Sequence, residues 1–448
     1  MHKIIIKFYE WLNHFYIKLK PTQALMFGFL SYAIIGIIFL SLPFSRTNHV
    51  NLLDNIFNVV SAISTTGLTT ISVADNYTFF GQLVFVVLFQ LGGIGYMTVS
   101  SFIILARGKE LSPIRLGILK AEFTLPQGFD IKVFVRQIVI FSLIIESLGV
   151  LFLWFEFRAA GIHNALWSAI FHCVSAFATA GFSLNNNSLE SFSDNTVVNM
   201  TIGILAYIGA IGFIVLQDAW LSIRHRSAHY ITLTSKIILL VTLVVFLVGT
   251  PLLFFFEPSI QTISPYNRFL AAAFQIITAS STAGFNTIPI SGLTGASLAI
   301  LILSMIIGAS PSGTGGGIKT TSISSLYSIL ASVVRGKCKI TFWGHEVPVA
   351  RLYTAVASTT LYMSILGVGV YLLCLTQPFN FLEIFFETAS ALGTVGLSMG
   401  ITGNLNIFGK IAITLLMFIG RVGPLTFGLS MFQKQIDDDT IKKSDLAV

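Results

Sequence analysis

Four short stretches of this 448-residue chain share the pattern Thr-x-Gly, in which x is a variable residue. Counting back from each glycine, the fifth residue is always Ala and the tenth is always Phe. A glycine can turn its backbone carbonyl without a Cβ clash, and carbonyl oxygens together with threonine hydroxyls suit a dehydrated monovalent cation. The pattern therefore predicts four cation-coordinating loops. These are formed by Thr65, Thr66 and Gly67; Thr179, Ala180 and Gly181; Thr282, Ala283 and Gly284; and Thr394, Val395 and Gly396.

The composition places these loops in a membrane. Residues are 54% hydrophobic and only 10% charged, with a mean hydropathy of +0.83, which leaves too little polar surface to cover a soluble globule. Apolar segments of roughly 20 residues, long enough to cross a hydrocarbon core, recur along the chain. We predict an all-α integral membrane protein with eight spanning helices. They lie near 22–43, 79–106, 133–157, 196–223, 235–256, 296–333, 351–376 and 407–432.

The basic residues indicate the orientation, because cytoplasmic loops of membrane proteins collect Lys and Arg. Most of the 26 Lys and Arg residues fall in the N-terminal segment, in alternate loops between the spans and in the C-terminal tail. Both termini are therefore predicted to be cytoplasmic. The formal net charge of +7 follows from this topology. Because the basic residues are split among short loops, the sequence predicts no nucleic-acid binding.

Each Thr-x-Gly loop lies between two predicted spans, so the chain divides into four copies of one unit. Each unit is a spanning helix, a short apolar helix, a Thr-x-Gly loop and a second spanning helix. Because every unit crosses twice, the repeats are parallel and related by an axis along the membrane normal, which predicts a pseudo-fourfold central pore. The predicted parts are an amphipathic N-terminal segment on the lipid surface (1–20), repeat 1 (21–110), repeat 2 (111–225), repeat 3 (226–340), repeat 4 (341–434) and a cytoplasmic tail (435–448).

The short helix before each loop constrains where the loop lies. About 13 residues at 1.5 Å each reach about 20 Å, which is too short to cross the hydrocarbon, so the helix must enter and turn back. Non-helical backbone at that depth must be buried in protein or line a water-filled cavity. With four helix C-termini aimed at one axis, the site favours a cation. The alternative is that Thr-x-Gly only kinks or packs helices, as small residues do in membranes.

A second glycine-rich motif follows each loop, and its third copy reads IGASPSGTGGGIKTT from Ile307. Five Gly and one Pro between 308 and 317 are incompatible with a continuous helix. We interpret residues 308–317 as an intramembrane gate below the loops; a tight helix-packing site is the alternative. The spacing does not fit a nucleotide-binding P-loop. The predicted gate residues are Gly308, Ser310, Pro311, Gly313, Gly315, Gly316, Gly317, Lys319 and Arg421.

Arg421 lies in the fourth copy of the motif, at membrane depth, where an ionised group is costly and usually functional. It is predicted to repel cations in the pore, or to couple to the gate by pairing with a neighbouring carboxylate. A purely structural ion pair is the alternative. Lys319 carries less weight, because a long side chain near a helix end can reach the membrane surface.

Catalytic chemistry has no support in the sequence. No metalloprotease, nucleophile-elbow or paired-carboxylate pattern occurs, and His172 is best explained as core packing. Three cysteines, Cys173, Cys338 and Cys374, show neither a disulfide framework nor metal-ligand spacing. We predict that the protein is not an enzyme, binds no cofactor and holds no metal other than the cation in the loops.

The four Thr-x-Gly loops, GASPSGTGGGIKTT at 308–321 and FIGRVGPLTF at 418–427 together resemble the Trk/Ktr/HKT superfamily of potassium transporters, most closely the membrane pore subunits of bacterial Ktr systems. The resemblance implies that the four loop glycines select K⁺, that Gly67 favours K⁺ over Na⁺, that 308–317 is the gate and that Arg421 is the pore arginine. The 308–317 stretch is richer in glycine than the family pattern.

The resemblance also implies a pore subunit in the bacterial cell membrane that takes up K⁺, with Na⁺ dependence left open. Its implied partners are a second copy of the chain and a cytosolic nucleotide-binding regulatory ring of the RCK/KTN type. The competing interpretation is a secondary transporter that binds an anionic solute near Lys319 and Arg421.

Overall fold

The computed structural model describes residues 19–108, 110–123, 130–227, 230–337 and 339–432. The predicted N-terminal segment, apart from residues 19 and 20, and the predicted tail lie outside the described residues, as does Cys338. The other two cysteines are free thiols, Cys173 buried and Cys374 exposed.

The described residues contain eighteen α-helices, and these dominate the fold. In chain order they are α1 (Pro21–Ser41), α2 (Leu52–Ile63), α3 (Val73–Asn76), α4 (Phe79–Ile94), α5 (Tyr96–Ala106), α6 (Pro113–Phe123), α7 (Ile131–Ala159), α8 (Ala165–Phe177), α9 (Thr196–Ile211), α10 (Phe213–His225), α11 (Leu233–Phe256), α12 (Pro265–Ser280), α13 (Gly295–Ile306), α14 (Thr320–Val334), α15 (Val349–Thr376), α16 (Phe381–Gly393), α17 (Ile407–Val422) and α18 (Pro424–Phe432).

Four of these helices, α1, α7, α11 and α15, are long and apolar enough to cross a membrane. Each is followed by a short helix of 12 to 16 residues that leads into a Thr-x-Gly loop, namely α2, α8, α12 and α16. After each loop another helix begins at a polar N-cap residue whose side chain accepts a backbone N–H of its first turn, which stabilises the helix start. These caps are Thr78, Asn195, Thr294 and Asn406.

The predicted spans are interrupted at four places, of which the sequence analysis anticipated only the break at 308–317. The helix pairs α4/α5, α9/α10 and α17/α18 bend by 89°, 97° and 94°. Each bend falls on a glycine with φ near +90°: Gly95, Gly212 or Gly423. Residues other than glycine rarely adopt this backbone conformation. These are the last glycines of the second motif, so the motif marks a bend in the helix.

The fourth interruption lies in the predicted span 296–333. It consists of α13 and α14, separated by residues 307–319 without helix. The Gly and Pro content of 308–317 is the physical reason, because neither residue supports a helix interior.

The all-α prediction also missed one small hairpin. Thr341–Phe342 pairs antiparallel with His345–Glu346, and the two residues between them, Trp343 and Gly344, have φ of +46° and +80°. Positive φ at both positions is the geometry of a tight two-residue turn.

The recurring Phe and Ala positions form the packing around the loops. Phe57, Phe171, Phe274 and Phe386 are at most 2% exposed, and the Ala five residues before each loop glycine is fully buried. Three glycines of the second glycine-rich motif pack against a carbonyl of the last or last but one residue of a short helix. A Cβ on any of them would collide with that oxygen. The pairs are Gly92 with Ile63, Gly209 with Phe177 and Gly420 with Leu392.

The first and last parts of the chain meet through an ion pair. Lys410 of α17 and Asp54 of α2 lie 2.6 Å apart (Nζ to Oδ1), and their side chains are only 16% and 13% exposed. Because both groups are largely desolvated, removing one partner leaves the other charge buried and uncompensated. The pair therefore joins two helices that are 356 residues apart in sequence.

Replacing Lys410 by Met is expected to lower the thermal stability of the detergent-solubilised protein by an amount equivalent to about 1.5–3 kcal/mol, the usual value of a hydrogen bond to a charged group. Thermal unfolding of purified protein measures this. Lys132→Met is the matched control, because it breaks the exposed Lys132–Glu110 pair and should leave the melting temperature unchanged. Equal shifts in the two variants would contradict the prediction.

Candidate functional site

The four Thr-x-Gly loops begin in the same way at the end of a short helix. The threonine N–H donates to the carbonyl of the recurring alanine, at 3.1 to 3.3 Å. The N–H of the middle residue donates to the carbonyl of the residue just before that alanine, at 2.7 to 2.9 Å. A peptide's N–H and C=O point in opposite directions. Since these N–H groups face their own helix, the carbonyls of the same peptides are directed away from it.

The loop backbone is left-handed at two positions in every copy. The threonines Thr65, Thr179, Thr282 and Thr394 have φ between +51° and +60°, and the glycines Gly67, Gly181, Gly284 and Gly396 have φ between +70° and +97°. A left-handed threonine is strained, and such residues persist only where the surrounding structure enforces them, typically at functional sites. The same strain occurs at four equivalent positions.

The four glycines form a closed ring. A Cβ built on Gly67 would lie 2.7 Å from the Ala180 carbonyl oxygen, and one on Gly181 would lie 2.7 Å from the Ala283 oxygen. A Cβ on Gly284 would overlap the Val395 oxygen, and one on Gly396 would overlap the Thr66 oxygen. Each glycine therefore faces the carbonyl of the next loop, and the fourth faces the first.

The threonine hydroxyls lie at the end of the ring that meets the 308–317 loop. Thr314 Oγ1 is 3.0 Å from Thr179 Oγ1, and Thr65 Oγ1 donates to the Thr314 carbonyl at 3.4 Å. A Cβ on Gly315 would meet the hydroxyl of Thr282, and one on Gly316 would meet the hydroxyl of Thr394. Three consecutive residues of the 308–317 loop thus cover all four loop threonines.

The 308–317 loop is attached to the bend between α9 and α10. Ser310 N–H donates to the Ala210 carbonyl at 3.1 Å and Thr314 N–H to the Gly209 carbonyl at 3.0 Å. In return, the carbonyl and hydroxyl of Ser312 accept the N–H groups of the first two residues of α10, at 3.2 and 3.3 Å. The loop and the bend therefore satisfy each other's free backbone groups.

Two basic residues also hold the 308–317 loop. Arg421 donates to the Thr314 carbonyl, to Thr65 Oγ1 at 3.0 Å, and to the carbonyls of Gly92 and Gly93. Lys319 folds back and donates from Nζ to the Gly315 carbonyl at 2.6 Å. The structure thus places both predicted residues on the loop, with main-chain oxygens among their partners.

The sequence reasoning missed a hydroxyl-bearing residue six positions before each loop glycine: Ser61, Ser175, Thr278 and Ser390. Ser61 Oγ accepts the Gly67 N–H at 3.1 Å and Ser390 Oγ accepts the Gly396 N–H at 3.0 Å. Ser175 Oγ instead donates to the Phe182 carbonyl at 2.8 Å. The recurrence of Ser or Thr at one offset was visible in the sequence and could have identified them.

Two of the loop hydroxyls, those of Thr282 and Thr394, are buried and have no hydrogen-bond partner among the described protein residues. A buried oxygen without a donor is costly. Together with the ring of carbonyls, these hydroxyls are suited to a cation stripped of its water shell. The carbonyl oxygens of the ring can only accept hydrogen bonds, which disfavours an anion there.

The fold and this site define a predominantly helical membrane protein organised around a ring of backbone carbonyls. Residues 29–443 match the model of the TrkH family, described as cation transport proteins. The chain belongs to this family.

Named relatives agree with this assignment. The chain is 32% identical over 411 residues to the "Ktr system potassium uptake protein B" of Vibrio alginolyticus, covering 90% of each chain. It is 32% identical to the protein of the same name from Bacillus subtilis (93% and 94% covered) and 30% identical to the "Potassium/sodium uptake protein NtpJ" of Enterococcus hirae (93% and 94% covered). The crystal structure of the potassium transporter TrkH from Vibrio parahaemolyticus has the same fold, with a TM-score of 0.69, 23% identity, and 90% and 84% of the chains covered.

Replacing Gly284 by Ala is expected to destabilise the protein, because a left-handed backbone costs a side-chain-bearing residue about 1–2 kcal/mol and the Cβ would displace the Val395 carbonyl. Thermal unfolding in detergent measures the loss. Gly292→Ala is the control, since its Cβ would meet nothing within 4 Å. A Gly284→Ala protein as stable as the control would show that the ring is wider than described.

Proposed function

We propose that this chain is the pore-forming subunit of a bacterial potassium uptake system and that K⁺ passes through the ring of Thr-x-Gly loops. The observation that carries the proposal is the contact of each loop glycine with the carbonyl of the next loop. Rings of carbonyl oxygens replace the water shell of a monovalent cation, and their number and field strength set the selectivity. The twelve loop residues are the selectivity filter.

The electrostatics of the short helices support the same function. α2, α8, α12 and α16 all end within two residues of a loop threonine, so their C-terminal ends lie at the ring. A helix C-terminus carries a partial negative charge. Four such ends favour a cation at the ring over an anion.

The relatives' names bear on the choice of ion. Two are named for potassium uptake and one for potassium and sodium uptake. All four filter positions are glycine in this chain, which in the resemblance to the Trk/Ktr/HKT superfamily favours K⁺. K⁺ is therefore the proposed cargo, with Na⁺ as a possible activating ion.

The 308–317 loop is the proposed gate, and its contact with all four filter threonines corresponds to a closed pore. Arg421 and Lys319 hold it by hydrogen bonds to Thr314 and Gly315. A small pocket adjoins the loop and is lined in part by Tyr207, Ser281 and Ser310.

The proposed assembly is a homodimer of pores on a cytosolic nucleotide-binding ring, with both termini in the cytoplasm of a bacterial cell. The support is the resemblance to Ktr pore subunits and the word "system" in the relatives' names. Because the gate loop is bonded to the start of α10, movement of α10 would be the route by which a partner opens the pore.

The alternative, an anion transporter, has less support. Lys319 and Arg421 would have to give up hydrogen bonds to Gly315 and Thr314 to bind a solute. The groups at the ring itself are oxygen acceptors, which repel anions.

Cells lacking their own potassium uptake are expected to accumulate rubidium when they express this chain with a cytosolic regulatory partner, and excess potassium should compete. Gly67→Ser should reduce discrimination against sodium, because the Cβ would lie 2.7 Å from the Ala180 carbonyl oxygen and displace a ligand. Gly161→Ser is the control, a glycine of similar φ with open space around it. If neither cation enters with the unaltered chain, the pore proposal fails and the anion alternative should be tested.

Arg421→Ala is expected to raise rubidium uptake roughly tenfold, because one hydrogen bond from a charged donor is worth about 1.5–3 kcal/mol and 1.4 kcal/mol is a factor of ten. Initial uptake rates at equal protein amount measure this. Arg268→Ala removes an arginine that is bonded to Gln261 and lies in the first turn of α12, at the opposite end of that helix from the ring, and should have no effect. Unchanged uptake in both variants would assign Arg421 to packing.

A further inference from the structure

A second ring of polar side chains surrounds the Thr-x-Gly loops. Nine positions before each loop glycine, directly after the recurring Phe, stands a polar residue whose side chain is fully buried. The four side chains differ in chemistry but all can accept a hydrogen bond. These minus-nine residues are Asn58, His172, Gln275 and Glu387.

Three of the minus-nine residues contact the same backbone position, the N–H three residues after the loop glycine. Because that N–H lies outside regular secondary structure in a partly buried region, a side chain supplies its partner. The pairs are Thr70 N–H to Asn58 Oδ1 (3.2 Å), Leu184 N–H to His172 Nε2 (3.4 Å) and Thr287 N–H to Gln275 Oε1 (3.5 Å). The fourth, Glu387, contacts the same segment of its own loop by accepting the hydroxyl of Ser398, two residues after the loop glycine, at 2.9 Å.

His172 is an acceptor in this role rather than simple core packing. Its Nδ1 lies 2.7 Å from the Ser168 carbonyl, which can only accept, so Nδ1 carries the proton. In the neutral imidazole Nε2 is then an acceptor. It receives the Leu184 N–H and lies 2.9 Å from the Ser183 hydroxyl.

Glu387 bonds to side chains of the segment that leaves its loop. Its carboxyl group accepts the hydroxyls of Ser398, at 2.9 Å, and Thr402. These residues lie two and six positions after the fourth loop glycine. The segment after the fourth loop is therefore held through two side-chain hydroxyls, whereas the other three segments are held through a backbone N–H.

We propose that the minus-nine residues are positioning residues for cation discrimination: each fixes the backbone that leaves its loop and thereby the direction of the loop carbonyls. This inference rests on the proposed function, since it concerns the selectivity of the same ring. Carbonyl rings discriminate between cations by cavity size and ligand field. A loop whose onward segment loses its anchor can rotate its carbonyls and accept a smaller ion.

The test replaces the acceptor in two loops and then restores it. Asn58→Leu and Glu387→Leu remove the acceptor, whereas Asn58→Asp and Glu387→Gln keep one at the same place. The ratio of rubidium to sodium uptake and the KM for rubidium are measured in cells lacking their own potassium uptake. We expect the leucine variants to lose roughly fivefold in that ratio, corresponding to one lost hydrogen bond, and the acceptor-keeping variants to recover most of it.

Asn199→Leu is the matched control. Asn199 is a buried amide whose Nδ2 donates to the Phe192 and Asn195 carbonyls, away from the loops, so its loss should lower protein amount without changing the ratio. Should the leucine variants fail to accumulate, Asn58→Gln and Glu387→Asp displace the acceptor by one methylene and must still alter the ratio.

The outcomes separate this inference from the proposed function. If the unaltered chain takes up no rubidium, the pore itself is in doubt. If the unaltered chain is selective and the leucine and methylene variants fold with an unchanged ratio and KM, the minus-nine residues only stabilise the protein and the inference is overturned.

Discussion

The structure depends on how backbone hydrogen bonds are satisfied where the chain is not helical inside an apolar protein. In hydrocarbon each unpaired N–H or carbonyl costs several kcal/mol. Every backbone group of a loop at that depth must therefore have a hydrogen-bond partner or a ligand. Each Thr-x-Gly loop turns its threonine and middle-residue N–H groups back onto the short helix that precedes it. The carbonyl of the middle residue, in the next peptide, faces the glycine of a neighbouring loop. Strained left-handed threonines are the cost of this arrangement, and the four copies enforce one another because each glycine leaves room for its neighbour's carbonyl.

The same constraint explains how the 308–317 loop is attached to the rest of the molecule. At three places a glycine bends a helix by about 90°, which frees carbonyls at the end of one helix and N–H groups at the start of the next. Between α9 and α10 these groups are taken up by the 308–317 loop: Gly209 and Ala210 accept from it, and Ser312 caps α10. These hydrogen bonds connect the loop directly to the start of α10.

Much of the fold was accessible from the sequence because it depends on local patterns. The apolar segments predicted a helical membrane protein, and the recurring Thr-x-Gly positions predicted four loops whose glycines each face the carbonyl of the next loop in the structure. The bends at Gly95, Gly212 and Gly423 were missed because averaged hydropathy is insensitive to a single glycine with φ near +90°. The hairpin at 341–346 is too short for a periodic signal. The partners of Arg421, from Gly92 to Thr314, could not be read from the sequence at all, because contacts across 107 to 329 residues depend on how the four units pack.

The ring combines a symmetric backbone with asymmetric side chains, and this division has a physical logic. Coordination by carbonyls needs similar backbone conformations in the four loops, and every copy is left-handed at both its threonine and its glycine. The groups behind that backbone need only supply an acceptor, so an amide, an imidazole and a carboxyl group all serve. The residues around the ring need not follow its symmetry and can differ in each of the four units. Glu387 lies behind the fourth loop, Arg421 of the fourth unit contacts Thr65 of the first, and the 308–317 loop comes from the third unit. A pore built from four separate identical chains could place such features only in all four quadrants or in none, whereas a single chain with four units can place each of them once.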